Sequence, residues 1–206
     1  MKYPNGLNKE YTSDINYKNR GMNLEDDLNV TNEYYRNNNI AIIYKKPTPI
    51  TIVKVDYKSR QDAVIKEAYF KTPSTTDYNG IYKGKYIDFE AKETINEQFF
   101  PLRNIHDHQI KHLRKIIEHG GIAFLIIRFS KLNQTYFIDG PDFLEFIDKQ
   151  KRKSIPIEYI KSKGILIQEK FNPRLDYLKI VLEIYFKGEQ VWKKEKRIIK
   201  RKKNIL

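Results

Sequence analysis

The sequence contains no cysteine. That excludes a disulfide scaffold, a thiolate nucleophile and any cysteine-ligated zinc or iron–sulfur centre. It also lacks a long apolar run. The longest, Ile122 to Ile127, stops at Arg128, whereas a membrane-spanning helix needs about 20 such residues. The N-terminal stretch MKYPNGLNKEYTSD has no apolar segment and does not read as a secretory signal, so the expected compartment is the cytoplasm, with no membrane partner. No internal repeat is visible. Acidic side chains are in deficit: 26 Asp and Glu against 39 Lys and Arg leave a net charge of +13. What remains is a 206-residue chain, 13% aromatic, large enough for one core with appendages and too aromatic for wholesale disorder.

A charge excess of this size points to a polyanionic partner, nucleic acid before an anionic membrane surface. The bland alternative is a compositional bias toward Lys, Ile and Asn, visible in the Asn triplet at 37–39. The excess is uneven. Residues 187–206 hold nine Lys or Arg and two Glu, which is +7 of the +13. This segment reads as a disordered or weakly helical basic tail, either a nonspecific electrostatic contact or a solubilising appendage. Residues 1–20 are polar and aperiodic and read as a flexible arm. The domain proper is expected over 21–186.

Asn23 is a good helix N-cap, with Leu24, Leu28, Thr31 and Tyr35 recurring at helical spacing after it. Ile40–Tyr44 reads as a buried strand. Lys45 to Thr76 is a long excursion marked by Pro47 and Pro49, with seven Lys or Arg against three acids and with Tyr57, Tyr69 and Phe70 interleaved. Thr51–Val55 alternates like a strand; Ala63–Phe70 fits a strand or a short helix. Such an excursion between core strands is often a projecting binding element, here termed the stalk. Tyr78–Tyr82 and Lys85–Lys92 pair as a hairpin over Lys83–Gly84, with Asn79–Gly80 as a competing turn. Asn104 is expected to cap a second helix that stops at Gly120. Gly121–Phe129 and Gln134–Ile138 read as strands, and Pro141–Gln150 and Pro156–Lys163 as helices. Pro173 is expected to open a last helix reaching about Lys187. The order predicts an α/β fold with a mixed sheet flanked by helices.

The chemistry concentrates in the hairpin. Along Tyr86–Lys92, side chains alternate, so Tyr86, Asp88, Glu90 and Lys92 share one face. A cross-strand ion pair explains any isolated Glu-x-Lys. Here Asp77 lies at the start of the partner strand, placed to bring its carboxylate back toward Glu90. The segment Ser74-Thr75-Thr76 adds neutral oxygens. Two converging carboxylates with neutral oxygens and no thiolate describe a hard-cation site, Mg²⁺ or Mn²⁺. A water acidified by such an ion can attack phosphorus, with Lys92 orienting it or offsetting charge on the phosphate. On the second helix Gln109 falls amid the apolar stripe of Ile105, Leu113, Ile116 and Ile117. It needs a partner there, either a core hydrogen bond or a metal-site contact. His108 and His112 are a weak zinc pair, since no third ligand at suitable spacing is evident.

These residues resemble a known family. Asp77 followed after twelve residues by Glu90-Ala91-Lys92 resembles the PD-(D/E)xK nuclease superfamily. Arg20-Gly21-Met22, Lys45-Lys46-Pro47-Thr48-Pro49, Glu67-Ala68-Tyr69-Phe70, Thr72 to Gly80, Tyr86 to Thr94, Asn104 to Gln109 and Pro173 to Leu178 together resemble the RecU-type Holliday junction resolvases. The resemblance implies a restriction-endonuclease-like core, a homodimer with a stalk between core strands, and magnesium-dependent nicking of four-way DNA junctions in recombination and repair, with Mn²⁺ substituting. It implies Thr75, Asp77, Glu90 and Gln109 as the metal site and Lys92 as transition-state stabiliser. Arg20, Lys45, Lys46, Lys58, Arg60, Tyr69, Phe70 and Lys71 are candidate DNA contacts, and recombination and branch-migration proteins are candidate partners. Thr76 stands where the superfamily name has proline, as it does in the RecU pattern. The basic tail matches no family motif. Two other readings are a noncatalytic DNA-binding accessory protein, for which two acids beside bound phosphate serve no purpose, and a sequence-specific restriction-type nuclease.

Overall fold

The computed structural model describes residues 23–57, 59, 61–71 and 75–187. The expected arm over 1–20 and nearly all of the basic tail lie outside the described residues, as do Arg20, Lys58 and Arg60. Chain order gives α1 (Leu24–Asn37), β1 (Ile42–Lys45), β2 (Ile50–Asp56), β3 (Val64–Phe70), β4 (Tyr78–Tyr82), β5 (Lys85–Thr94), β6 (Phe99–Pro101), α2 (Asp107–Glu118), β7 (Ile122–Phe129), β8 (Gln134–Asp139), α3 (Gly140–Lys149), β9 (Ser154–Pro156), α4 (Ile157–Lys163), β10 (Ile165–Ile167) and α5 (Tyr177–Tyr185).

Six strands form one sheet in the order β1-β4-β5-β7-β8-β10. Among the described strands only β5 and β7 pair in parallel, joined by a crossover through α2, so the sheet is mixed as expected. Its centre is β7, buried at every residue. Phe124 and Ile126 point into one core with α1 and α5, through Leu28, Tyr35, Tyr177 and Val181. Ala123, Leu125 and Ile127 point into the other, with Leu113, Phe143 and Ile160 from α2, α3 and α4. The same pleat governs β5: Ile87 and Phe89 join the α1/α5 core, so Asp88 and Glu90 face the α2 side.

The β4–β5 turn is at Lys83–Gly84, whose φ values of 49° and 78° are both positive, as the tight hairpin turn matched to strand twist requires. Gly80, in the competing turn signal, instead lies within β4. A Cβ there would sit 2.0 Å from the Ile42 carbonyl oxygen, so only glycine admits β1 at that distance. The stalk is the antiparallel ribbon β2–β3, which settles Ala63–Phe70 as a strand, and every residue of both strands is exposed.

Three expectations are corrected. The strand near Ile40–Tyr44 is not buried: it is the sheet edge, and only Ile43 within β1 is covered. Asn104 does not cap α2. It ends a short 3-10 turn, and His106 is the N-cap. The last helix begins at Tyr177, not Pro173, because Leu175 is held in a bridge to Glu169 and donates its N–H to the Thr31 hydroxyl at 3.0 Å. The three-residue strands β6, β9 and β10 carry too little periodicity to be read from sequence. Among the described residues, no helix is long and apolar enough to cross a membrane.

Candidate active site

Asp77 precedes β4 and Glu90 lies in β5, and the hairpin register sets them side by side. The Asp77 N–H donates to Glu90 Oε2 at 3.2 Å, and Asp77 Oδ2 accepts from the Ala91 N–H at 3.4 Å. Lys92 Nζ sits between the two carboxylates, 2.5 Å from Glu90 Oε1 and 3.9 Å from Asp77 Oδ2. The Glu90 side chain is fully buried, while Asp77 is 37% exposed, so the cluster opens to solvent on the Asp77 side. Burial first, then the neighbouring Asp77 carboxylate, pushes Glu90 up to about 7 against the pull of Lys92.

Gln109 reaches Glu90 from α2. Its Nε2 donates to Glu90 Oε1 at 2.6 Å, and its Oε1 accepts from the His106 N–H at 2.9 Å. One amide thus ties the α2 N-terminus to the buried acid, which is why a glutamine occupies the middle of an apolar stripe. The Thr75 hydroxyl is half-buried and donates to the Thr76 carbonyl at 3.5 Å. It is Thr76 whose hydroxyl bonds a carboxylate, that of Asp88.

The candidate DNA contacts divide by position. Tyr69 and Phe70 are 61% and 84% exposed on the stalk, and the Tyr69 hydroxyl donates to Glu67 at 2.6 Å. Lys71 is exposed at the stalk base, its N–H donating to the Pro49 carbonyl at 2.9 Å. Lys45 pairs with Glu25 on the surface. Lys46 points inward to Asp88 at 2.8 Å. Asp88 also accepts from the Tyr86 hydroxyl at 2.9 Å and lies 3.3 Å from His112 Nε2. Sequence alternation places Asp88 on the Glu90 face, yet its partners lie 42 residues upstream and 24 downstream, beyond any local pattern. Among the described residues, no group of three or more His, Cys, Asp and Glu clusters as a metal centre. The structure brings the Asp77 and Glu90 carboxylates together, with the Gln109 oxygen turned to the His106 N–H and the Thr75 hydroxyl to the Thr76 carbonyl; two carboxylates without a thiolate suit a hard cation that keeps several waters and needs few protein ligands.

The model for Recombination protein U matches residues 19–183. The chain is 53% identical over 198 residues to Holliday junction resolvase RecU of Geobacillus kaustophilus (strain HTA426), covering 90% of this chain and 98% of that protein. It is 51% identical over 197 residues to Holliday junction resolvase RecU of Bacillus thuringiensis (strain Al Hakam), with the same 90% and 98% coverage. The solved structure of Archaeoglobus fulgidus Hjc, a Holliday junction resolvase, is similar at 12% identity and TM-score 0.41, covering 69% of this chain and 92% of that one, too distant a likeness to carry an argument. With the family model spanning most of the chain and half of all residues shared with curated relatives, the chain belongs to the RecU family.

Proposed function

We propose that the chain is a Holliday junction resolvase: a divalent-metal-dependent endonuclease that makes paired, symmetric nicks in four-way DNA junctions. The observation that carries this is the convergence of Asp77, Glu90 and Lys92 at a solvent-open point of a sheet edged by a basic, aromatic stalk. Asp77 and Glu90 would hold Mg²⁺, with Mn²⁺ as a substitute and with Thr75 and Gln109 as the neutral groups beside them. Such an ion supplies an acidified water and neutralises charge on the scissile phosphate. Lys92 carries a cation to the same point and offsets the charge that builds on the phosphoryl oxygens. Gln109 holds Glu90 in one rotamer. Tyr69 and Phe70 present rings able to stack on bases unpaired at the branch, worth roughly 1–3 kcal/mol each. The unit of function is a homodimer, and recombination and branch-migration proteins are its expected neighbours.

Purified protein with a labelled four-way junction and a matched linear duplex provides the test. Mg²⁺ is expected to support cutting of the junction and not of the duplex; Ca²⁺ should support binding alone. Binding without cutting in Mg²⁺ and Mn²⁺ would instead establish the noncatalytic accessory reading.

The raised Glu90 carboxyl gives a second expectation. Metal needs the carboxylate, so protons compete with it below about pH 7. The Mg²⁺ concentration for half-maximal cutting should rise about tenfold from pH 8 to pH 6, since the ionised fraction falls from about 0.9 to about 0.1 across a pKa of about 7. Stability follows the same linkage. The folded carboxyl binds its proton more tightly than the unfolded one, so the metal-free protein loses stability as pH rises from 4.5 through about 7. Mg²⁺ titrations and thermal melts across that range check both; a half-saturation point independent of pH would contradict the Glu90 assignment.

A further inference from the structure

Lys45 and Lys46 stand side by side where the stalk leaves β1, and the fold uses them differently. Lys45 lies on the surface against Glu25. Lys46 is turned inward with its side chain only 18% exposed. Its Nζ is 2.8 Å from Asp88 Oδ2 and donates to the Thr76 hydroxyl at 3.0 Å. Its main-chain N–H donates to the Asp77 carbonyl at 2.8 Å. One residue therefore grips positions 76 and 77 by side chain and by backbone. Thr76 closes the ring by donating to the other Asp88 oxygen.

Asp88 has no exposed side-chain surface. A buried carboxylate is costly unless its lone pairs are satisfied. Here Lys46, Thr76 and Tyr86 satisfy them. Asp88 thus sits two residues before Glu90 on the same face with its oxygens already engaged. It is an anchor rather than a further ligand. Mg²⁺ demands near-ideal placement of its few protein oxygens, so what fixes the backbone at Asp77 governs the site.

We propose that Lys46 is a positioning residue for Asp77, holding the Thr76–Asp77 backbone against Asp88, and not a contact to DNA phosphate. This rests on the reading of Asp77 and Glu90 as the metal site. Loss of Lys46 takes the lysine counter-charge from buried Asp88, leaving it His112, Tyr86 and Thr76, and removes the donor to the Thr76 hydroxyl, loosening the carboxylate next in sequence. Partners that orient metal ligands typically account for roughly 10–100-fold in affinity or activity.

The test uses the full chain as K46M, D88N, T76V and the double variant K46M/D88N. Two quantities are read: the Mg²⁺ concentration giving half-maximal junction cutting, and junction affinity in Ca²⁺ across a salt series. K46M and D88N are expected to raise the Mg²⁺ requirement roughly 10–100-fold. The double variant should be no worse than the worse single, because both act through one pair. The slope of log affinity on log salt should not change. An unchanged Mg²⁺ requirement with a slope reduced by about one would make Lys46 a phosphate contact and overturn the proposal. Independent, multiplying effects in the double variant would overturn it too. If K46M does not fold, T76V decides, since it removes one hydroxyl and keeps the side-chain shape: a raised Mg²⁺ requirement supports the proposal and a wild-type one overturns it. Wild-type cutting in EDTA would fail the metal reading itself, a result distinct from variants that titrate like a metal-dependent wild type.

Discussion

D77N and E90Q are expected to bind four-way junctions as tightly as wild type and to cut them at least roughly 10³-fold more slowly, about 4 kcal/mol of barrier at 1.36 kcal/mol per tenfold. Both substitutions keep the shape of the side chain. In D77N the side-chain carbonyl can still accept from the Ala91 N–H, and in E90Q it can still accept from Gln109 Nε2. What each removes is one anionic oxygen of the proposed metal site, and the two cannot substitute for one another, since they approach Lys92 from different parts of the hairpin. Binding is unharmed because losing a negative charge beside the phosphates removes repulsion. E90Q carries an internal control. A carboxyl whose pKa is raised to about 7 by burial is ionised at pH 8 at the expense of the fold, so its neutral counterpart should melt at a higher temperature without metal. Gel shifts in Ca²⁺, single-turnover cutting in Mg²⁺ and thermal melts check the three parts. Cutting by both variants at the wild-type rate would remove the site from Asp77 and Glu90.

The hairpin was legible because its signals are local. Lys83–Gly84 supplies the two positive-φ residues of a tight turn, and period-two alternation assigns Glu90 and Lys92 to one face. With the turn fixed, Asp77 falls beside Glu90 by counting. The sheet centre was legible because β7 is apolar almost throughout and buried at every position. What escaped depends on partners far along the chain. Lys45 and Lys46 are equivalent in sequence; only the pairing of β1 with β4 turns one out and the other in. His106 takes the α2 N-cap, a place for which Asn104 has the better side chain, because Gln109, held by Glu90 from another element, folds its carbonyl back on that N–H. The apolar composition of β1 reads as burial, yet Ile42 and Tyr44 are 60% and 55% exposed, because whether a sheet has a further strand or partner outside β1 is not written in β1.

A dimer containing one D77N subunit is expected to leave most cruciform plasmid as nicked circles, where wild type yields linear molecules. On the proposed reading, resolution takes two cuts on strands of like polarity, and one Asp77–Glu90 pair would make one cut. Two sites related by a two-fold axis match the two-fold arrangement of the junction. The stalk gives a physical reason for pairing of subunits. Ile50, Ile52, Val53, Val55, Val64 and Ile65 are each between 41% and 56% exposed on a two-stranded ribbon, and such a ribbon alone in water is marginal. A second copy laid along it would cover that apolar surface and leave the basic and aromatic positions, Tyr69 among them, directed at the branch point between the two sites. In the mixed dimer the intact subunit still cuts its strand, so total nicking should fall only about twofold, in line with one active site of the symmetric two, while the linear product nearly disappears. That separation between nicking and linearisation distinguishes a half-active dimer from a poorly folded one, which would lose both together. Efficient linearisation by the mixed dimer, with subunit exchange excluded by covalent linkage of the two copies, would show that one site cuts both strands.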